Sequence, residues 1–245
     1  MFPLFKKKQS PPADYSFLKA DMHSHLIPGI DDGSPDMETS IGLIIGMMQL
    51  GYRTIITTPH VMSGMYQNGR DKILQGHEAV KLELKKRNIE VDFRVAAEYL
   101  LDDYFDSLLQ GNEALLTIKD NLVLVEFSFV SAPIDYKQKL FALQIKGYRP
   151  ILAHPERYTY FHHQPSIYSD LKNAGCLFQV NLLSILGYYG KQAARIAVRL
   201  FKENSVDLLG TDLHHYKHLQ LLRDPSLARR ARELIGNATL LNQQL

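Results

Sequence analysis

Cysteine is almost absent from this chain of 245 residues, and the single one, Cys176, limits the available chemistry. One cysteine cannot form an intrachain disulfide, which fits a reducing cytoplasm, where we expect the protein to reside. A thiol-based phosphatase needs Cys-x5-Arg, yet the sixth residue after Cys176 is Leu182. We therefore predict that Cys176 is a buried structural residue and not a nucleophile.

A large charge excess and a long apolar run are also missing. The formal net charge of +2 is too small for a surface that coats nucleic acid, and no run approaches the ~20 apolar residues of a membrane span. At the start of the chain, apolar residues precede three lysines, the reverse of a signal peptide. We predict a flexible tail over residues 1–15, with at most weak attraction to a membrane surface, and a single domain over residues 16–245.

Seven apolar, β-branched runs are present, and they predict strands. They are FLKADMHSH, YRTIITTPH, DFRVAAEYL, NLVLVEFSF, RPILAHPER, CLFQVNLLS and VDLLGTDLHH. Segments with helical spacing lie between them, such as residues 36–51, which follow Ser34-Pro35 and stop at Gly51, and residues 137–148, which close at Gly147. This alternation predicts an α/β fold around a parallel sheet.

A polar residue stands near the end of each run, at intervals of 27 to 38 positions: His23, His60, Glu98, Glu126, His154, Asn181 and Asp212. Each interval is about one strand-helix unit. In closed α/β barrels the C-terminal ends of the strands converge on the face that carries the active site. Seven units predict a distorted barrel rather than a regular eightfold one.

Spacing within the runs adds two further histidines. Side chains two apart share a strand face, so His23 points with His25, and Asp212 points with His214, whereas His215 would face away. A lone His-x-His pair is as often a satisfied polar pair at a loop mouth as a ligand pair. Histidine, aspartate or glutamate at six of seven strand ends is not explained by chance.

The candidate ligands exceed what one metal ion needs. They are His23, His25, Asp32, His60, Glu98, Glu126, His154, Asp212 and His214. Imidazole and carboxylate donors without cysteine favour Mn, Fe or Zn over a structural thiolate zinc site. We predict a cluster of two or three divalent ions, in which a carboxylate such as Glu98 bridges metals and a bound water becomes nucleophilic.

The motifs HSH with PGIDDG, TPH, AAEY, VEF, AHPER and TDLHH resemble, in this order, those of the PHP (polymerase and histidinol phosphatase) superfamily. PGIDDG and HPERY resemble more narrowly its bacterial protein-tyrosine phosphatases of capsular and exopolysaccharide biosynthesis. The resemblance covers about residues 17 to 218.

This resemblance implies a distorted (β/α)7 barrel with a trinuclear centre, often manganese-dependent, built from the nine residues above. It favours Asp32 over Asp31 as the loop ligand, between which strand parity cannot choose. It also implies that Arg157 binds the substrate phosphate, for which a planar guanidinium is suited. The alternative for Arg157 is a surface ion pair with Glu156.

The expected activity is hydrolysis of protein phosphotyrosine by metal-activated water, without a phosphoenzyme. The expected partner, by resemblance, is a cytoplasmic tyrosine kinase that regulates polysaccharide synthesis. A histidinol-phosphate type of phosphomonoesterase is the main alternative, because both activities need the same metals. A nuclease is disfavoured by the lack of a basic, aromatic-interleaved groove, and an inactive binding module by the full set of ligands.

Several other polar residues have a structural and a functional interpretation. Loop residues near the same mouth could contact substrate or only pack the loops: His162, His163, Tyr66, Tyr158 and Tyr160. His77 lies in a helical stretch, and we expect it to have no role in function.

Overall fold

The computed structural model describes residues 11–111 and 113–245. Its strands are β1 Ala20–Asp21, β2 Thr54–Thr57, β3 His60–Val61, β4 Asp92–Val95, β5 Glu98–Leu100, β6 Leu122–Glu126, β7 Arg149–Ala153, β8 Leu177–Asn181 and β9 Leu208–Gly210. Its α-helices are α1 Met37–Gln49, α2 Arg70–Lys86, α3 Asp103–Gln110, α4 Tyr136–Ile145, α5 Ser166–Asn173, α6 Lys191–Lys202, α7 Tyr216–Leu222 and α8 Pro225–Ile235. Short 3-10 helices span Pro155–Arg157, Thr159–Phe161, Leu182–Leu186 and Leu241–Gln244.

The strands form two parallel sheets, in the orders β1-β2-β4 and β3-β5-β6-β7-β8-β9. Every pairing between named strands is parallel. Helices separate most consecutive strands, so the predicted α/β fold around parallel strands is confirmed.

Each of the seven predicted runs contains strand residues, but two runs break into two strands each. The break between β2 and β3 contains Pro59, which has no N–H to donate to a neighbouring strand. The Pro59 carbonyl still accepts a hydrogen bond from Glu98 N at 3.1 Å, just as the Thr57 carbonyl accepts one from Ala96 N at 2.9 Å. The two broken runs therefore stay side by side across both breaks.

The first and last runs also lie side by side. Ser24 and Leu213 form a parallel bridge, His25 N donates to Leu213 O at 2.9 Å, and Asp212 N donates to His23 O at 2.8 Å. These bonds place the histidines of the first run next to Asp212, although the two runs are separated by most of the chain.

The predicted glycines at the ends of α1 and α4 are confirmed, and Gly147, which follows α4, has a φ of +87°. The Asp36 side chain accepts a hydrogen bond from Thr39 N at 2.8 Å and so caps the first turn of α1. Gly51 follows α1 with a φ of +94°, and a Cβ there would lie 2.6 Å from Asp14 Oδ1. Glycine is therefore required at this turn.

An apolar cluster lies beneath the polar strand ends, and it draws on every strand run: Met22, Ile56, Ala96, Ile118, Leu124, Ile151, Ala153, Leu177 and Leu208. Ala96 and Leu124 each precede a glutamate of the predicted site by two positions, on the same strand face. The polar residues of the predicted site therefore lie on one side of a packed apolar cluster, which supports them.

The packed part of the chain begins earlier than predicted. Ala13 and Tyr15 are buried, and the Tyr15 hydroxyl donates to Leu222 O at 3.0 Å, so residues 13–15 do not belong to a flexible tail. Apolar burial outweighs the entropy of a free end there. In the rest of the predicted tail, Pro11 and Pro12 are exposed, and residues 1–10 lie outside the described residues. Among the described helices, none combines the length and apolar character needed to cross a bilayer.

Candidate functional site

Glu98 lies at the centre of the predicted site and contacts four histidines. Its Oε2 atom is 3.0 Å from His23 Nε2, 3.4 Å from His25 Nε2 and 3.3 Å from His60 Nδ1. Its Oε1 atom is 3.2 Å from His154 Nε2. Glu98 is fully buried, so these imidazoles enclose a carboxylate that bulk water does not reach.

Asp212 closes the other side of the cluster. Its Oδ1 atom is 3.3 Å from His23 Nε2, 3.5 Å from His25 Nε2 and 3.5 Å from His214 Nδ1. Glu126 approaches from β6, with Oε1 3.1 Å from His60 Nδ1.

Two residues of the site have left-handed backbone conformations. The φ of Asp212 is +51° and that of His154 is +35°. Such conformations cost about 1 kcal/mol or more in residues with a Cβ and are concentrated at functional sites. At both positions the chain leaves a strand and turns sharply, and the side chain of His154 contacts Glu98 whereas that of Asp212 contacts His23 and His25.

The two aspartates of PGIDDG occupy different places. Asp32 is half exposed, and its Oδ1 atom lies 3.5 Å from His60 Nε2 and 3.6 Å from His214 Nε2. The buried Asp31 lies behind the cluster, where its Oδ2 atom is 2.9 Å from His25 Nδ1 and accepts a bond from His60 N at 3.1 Å. Asp31 thus orients His25, as carboxylates commonly do for histidines that bind metals.

All nine predicted ligands fall into four overlapping groups, each with its donor atoms within 4.8 Å of one another. The groups are His25, Asp32, His60 and His214; His23, His154 and Asp212; His23, His25 and Glu98; and His60, Glu98 and Glu126. The donors are nitrogen and oxygen only, which suits Mn, Fe or Zn. Glu98 occurs in two of the groups, as do His23, His25 and His60, so the groups share residues.

Buried atoms without hydrogen bonds also fit a metal ion. His60 Nδ1 and Glu126 Oε1 are both buried and have no hydrogen-bond partner among the described residues, although they lie 3.1 Å apart. Buried polar atoms are rarely left unsatisfied, and a cation between them and Glu98 would satisfy both. The residues present therefore fit the metal cluster that the motifs imply.

The charges in the cluster strongly shift its ionisation. Burial alone lowers the pKa of His60, but the carboxylates of Glu126 and Glu98 raise it to about 9. Burial likewise opposes the charge on Glu98, yet His23 and His60 hold the pKa of this carboxyl well below its usual range. The cluster attracts positive charge, whether protons or metal ions.

The side-chain amides of Gln179 and Asn181, both on β8, form hydrogen bonds that support His23 and Asp212. Gln179 Oε1 lies 2.7 Å from His23 Nδ1, Gln179 Nε2 donates to Asn181 Oδ1 at 2.8 Å, and Asn181 Nδ2 donates to Asp212 Oδ2 at 2.8 Å. All four residues are buried. The sequence indicates Asn181 only as a polar strand end, and Gln179 was missed. Its position two residues before Asn181, on the same strand face, was the available signal.

Arg157 lies beside the cluster and contacts it through Asp212. Its Nη1 atom donates to Asp212 Oδ2 at 2.7 Å, and its guanidinium carbon lies 4.6 Å from the Phe129 ring centre and 4.0 Å from that of Tyr189. The alternative of an ion pair with Glu156 is wrong. The Glu156 carboxylate is buried and accepts bonds from Asn181 N and from the Ser184 hydroxyl instead.

A cavity of about 460 Å³ opens onto the cluster. Its lining comprises Asp32, His60, Glu126, Phe129, His154, Arg157, Tyr188, Tyr189, Asp212, His214, His215 and His218. A larger cavity of about 1030 Å³, around Tyr52 and Arg53, contains none of the predicted site residues.

The remaining polar residues named from the sequence have structural contacts. Tyr158 is buried and donates to Ala153 O, and Tyr160 donates to Ser128 O. His77 packs in α2 with Nε2 3.0 Å from Phe93 O, and His162 Nε2 is 2.8 Å from Glu156 O. Neither His163 nor Tyr66 lines the cavity, although the Tyr66 ring stacks on His60 at 5.8 Å between ring centres. His215 caps α7.

Comparison with known proteins places these features in a family. The chain is 30% identical to tyrosine-protein phosphatase YwqE of Bacillus subtilis over 197 residues, which cover 80% of this chain and 78% of that protein. It is 29% identical to tyrosine-protein phosphatase CpsB of Streptococcus agalactiae over 214 residues, or 85% of this chain and 86% of that one.

Solved structures show the same likeness. Crystal structures described as YwqE from Bacillus subtilis and CpsB from Streptococcus pneumoniae, "unique metal-dependent tyrosine phosphatases", match with a TM-score of 0.80 and 28% identity, over 92% of this chain and 90% of that one. Histidinol phosphate phosphatase from Lactococcus lactis, at a TM-score of 0.58 and 17% identity over 91% of this chain and 94% of that one, is alike in fold alone. The profile of the family described as capsular polysaccharide synthesis, CpsB/CapC, matches residues 19–238, and the chain belongs to that family.

Proposed function

We propose that this protein is a metal-dependent protein-tyrosine phosphatase that regulates a tyrosine kinase of capsule or exopolysaccharide synthesis. The observation that carries the proposal is the set of four overlapping donor groups around Glu98, with Arg157 beside them at the mouth of a cavity. The tyrosine phosphatase names of the relatives and the metal-dependent phosphatases among the similar structures support it.

The nine clustered residues would hold two or three divalent ions, with manganese the first candidate. Two groups meet at Glu98, and the group with Asp32 and His214 lies toward the opening. When bound, the ions lower the pKa of a coordinated water and so supply the nucleophile. Asp31 and Gln179 would fix the ring orientations of His25 and His23.

Arg157 would bind the substrate phosphate. Among its contacts with described residues, Nη1 is the one side-chain nitrogen that donates a hydrogen bond, which leaves Nε and Nη2 for phosphoryl oxygens. The rings of Tyr189 and Phe129 both pack against the guanidinium, at 4.0 Å and 4.6 Å, so that the nearer Tyr189 ring would still hold it if the Phe129 ring were removed. A fixed cation at this point offsets negative charge that develops on the phosphoryl group. Because the leaving phenol has a pKa of about 10, little help from a general acid is needed.

We also propose that the seven strand runs close into a distorted (β/α)7 barrel. Its support is the Ser24–Leu213 bridge between the first and last runs, together with the apolar cluster to which all seven runs contribute. A closed barrel explains why ligands from distant runs surround one carboxylate.

The alternative of a histidinol-phosphate type of phosphomonoesterase is not favoured. The relatives that share 29 to 30% identity are named as tyrosine phosphatases, whereas the histidinol phosphate phosphatase is similar at 17% identity only.

The test is a direct comparison of two substrates. We expect the manganese-loaded protein to hydrolyse a phosphotyrosyl peptide with a much higher kcat/KM than histidinol phosphate. A higher kcat/KM for histidinol phosphate would contradict the proposal.

A further inference from the structure

We propose that Phe129 is a specificity-determining residue whose ring contacts the aromatic ring of the substrate, so that the site prefers aryl over alkyl phosphomonoesters. The inference rests on the proposed function and deepens it, because it names the part of the protein that would recognise tyrosine rather than phosphate.

Phe129 contacts both His154 of the metal-ligand cluster and Arg157, the proposed phosphate-binding residue. It lies three residues after Glu126, in the segment that connects β6 to α4. Its ring stacks on His154, with 5.3 Å between ring centres and 21° between planes, and on the guanidinium of Arg157 at 4.6 Å. Any phosphomonoester held by Arg157 next to the cluster must therefore place its ester oxygen close to this ring.

The exposure of Phe129 is unusual for a residue so close to buried groups. The side chain is 47% exposed and lines the cavity, and Tyr188 on the cavity wall is 38% exposed. Large exposed aromatic surface in a concave site is typical of ligand contacts, since a flat apolar ligand gains by covering it. The ring of a phenyl phosphate begins one bond from the ester oxygen and would reach Phe129 directly. A serine phosphate presents only a methylene group there.

The charges on the cavity wall agree with a neutral aromatic group. The carboxylates among the lining residues are Asp32, Glu126 and Asp212, and all three belong to the donor groups. An alkyl phosphate with an ammonium group, such as histidinol phosphate, would need a further carboxylate to pair with that cation. The described lining offers aromatic rings and histidines instead.

The test compares matched ligands on the manganese-loaded protein. Two peptides of one sequence carry either a phenyl phosphonate in place of phosphotyrosine or an alkyl phosphonate in place of phosphoserine, and neither can be hydrolysed. We expect Phe129→Ala to weaken binding of the phenyl phosphonate about tenfold, the loss typical of one aromatic contact, while binding of the alkyl phosphonate changes less than about twofold. Phe129→Tyr should restore the preference.

Phe141→Ala is the matched control, because Phe141 is 62% exposed on α4 and does not line the cavity. It should leave both affinities unchanged, and metal content should be equal in all variants. An equal loss for both peptides in Phe129→Ala would overturn the inference, since Phe129 would then act only by supporting Arg157. No loss for either peptide would overturn it as well.

Kinetics on a phosphotyrosyl peptide separate this inference from the proposed function. If the wild-type protein hydrolyses that peptide but the binding preference does not depend on Phe129, the inference fails and the function stands. If the preference depends on Phe129 but no hydrolysis occurs, the aromatic contact stands and the phosphatase proposal fails.

Discussion

The Nδ1 atom of His23 lies 2.7 Å from Oε1 of Gln179, while the Nε2 atom of the same ring lies 3.0 Å from Glu98. Gln179 donates its own amide to Asn181, so its oxygen faces the imidazole. A proton on Nδ1 is then shared with Gln179, and the lone pair of Nε2 points into the cluster, as a metal ligand requires.

Replacement of Gln179 by leucine should weaken metal binding without removing a ligand. We expect the metal affinity of Gln179→Leu to fall on the order of 10- to 100-fold, because His23 loses the group that fixes its tautomer. Competition with a chromogenic chelator measures this affinity. Gln144→Leu is the control, since the Gln144 side-chain amide also donates a hydrogen bond, to Ala174 O, but lies on α4, away from the cluster. Equal affinities in the two variants would refute the role of Gln179.

Substitutions of Arg157 and His154 should have different effects, because we expect the first residue to bind phosphate and the second to bind metal. Arg157→Ala should keep its metals, because a guanidinium cannot bind a cation. It should lose about 2 to 4 kcal/mol of transition-state stabilisation, seen in kcat as well as KM. His154→Ala should lose metal and rate together. Metal content, kcat and KM on a phosphotyrosyl peptide, with a thermal melt for each variant, test this. Near wild-type rates in Arg157→Ala would mean that another cation holds the substrate.

The cluster should bind more than one ion. We expect elemental analysis of the active protein to find two or three divalent ions per chain, because nine donors in four groups are too many for one. A chelator should abolish activity, and Mn²⁺ should be among the ions that restore it. Full activity with one ion per chain would exclude a multinuclear centre.

Cys176 should be dispensable and unreactive. Burial raises the pKa of its thiol to about 12, although Lys172 opposes the shift. At pH 8 only about one thiol in ten thousand would be ionised, so iodoacetamide should label the unfolded protein and spare the folded one. Cys176→Ser should retain the wild-type rate. A loss of several orders of magnitude with metal content intact would instead indicate a thiol mechanism.

The strand pattern predicts eight of the nine clustered residues, because parallel strands end on one face and side chains two apart point together. Asp32 lies in a loop, and only the family resemblance favoured it over Asp31. It could not predict the partner of His23, since Gln179 is 156 positions away and the contact depends on how β8, β9 and the first run align. The sequence also could not predict that Arg157 pairs with Asp212. The left-handed turn at His154 carries Glu156 inward and Arg157 toward Asp212, and adjacency in sequence suggested the opposite.

The bridge between Ser24 and Leu213 has a consequence for the order of events during biosynthesis. His23 and His25 leave the ribosome long before Asp212 and His214, which share donor groups with them. A nascent chain therefore cannot form these groups until its final run has been released. Metal binding at these two groups must follow synthesis of the seventh run, and a product truncated before that run would carry the first histidines without Asp212 and His214.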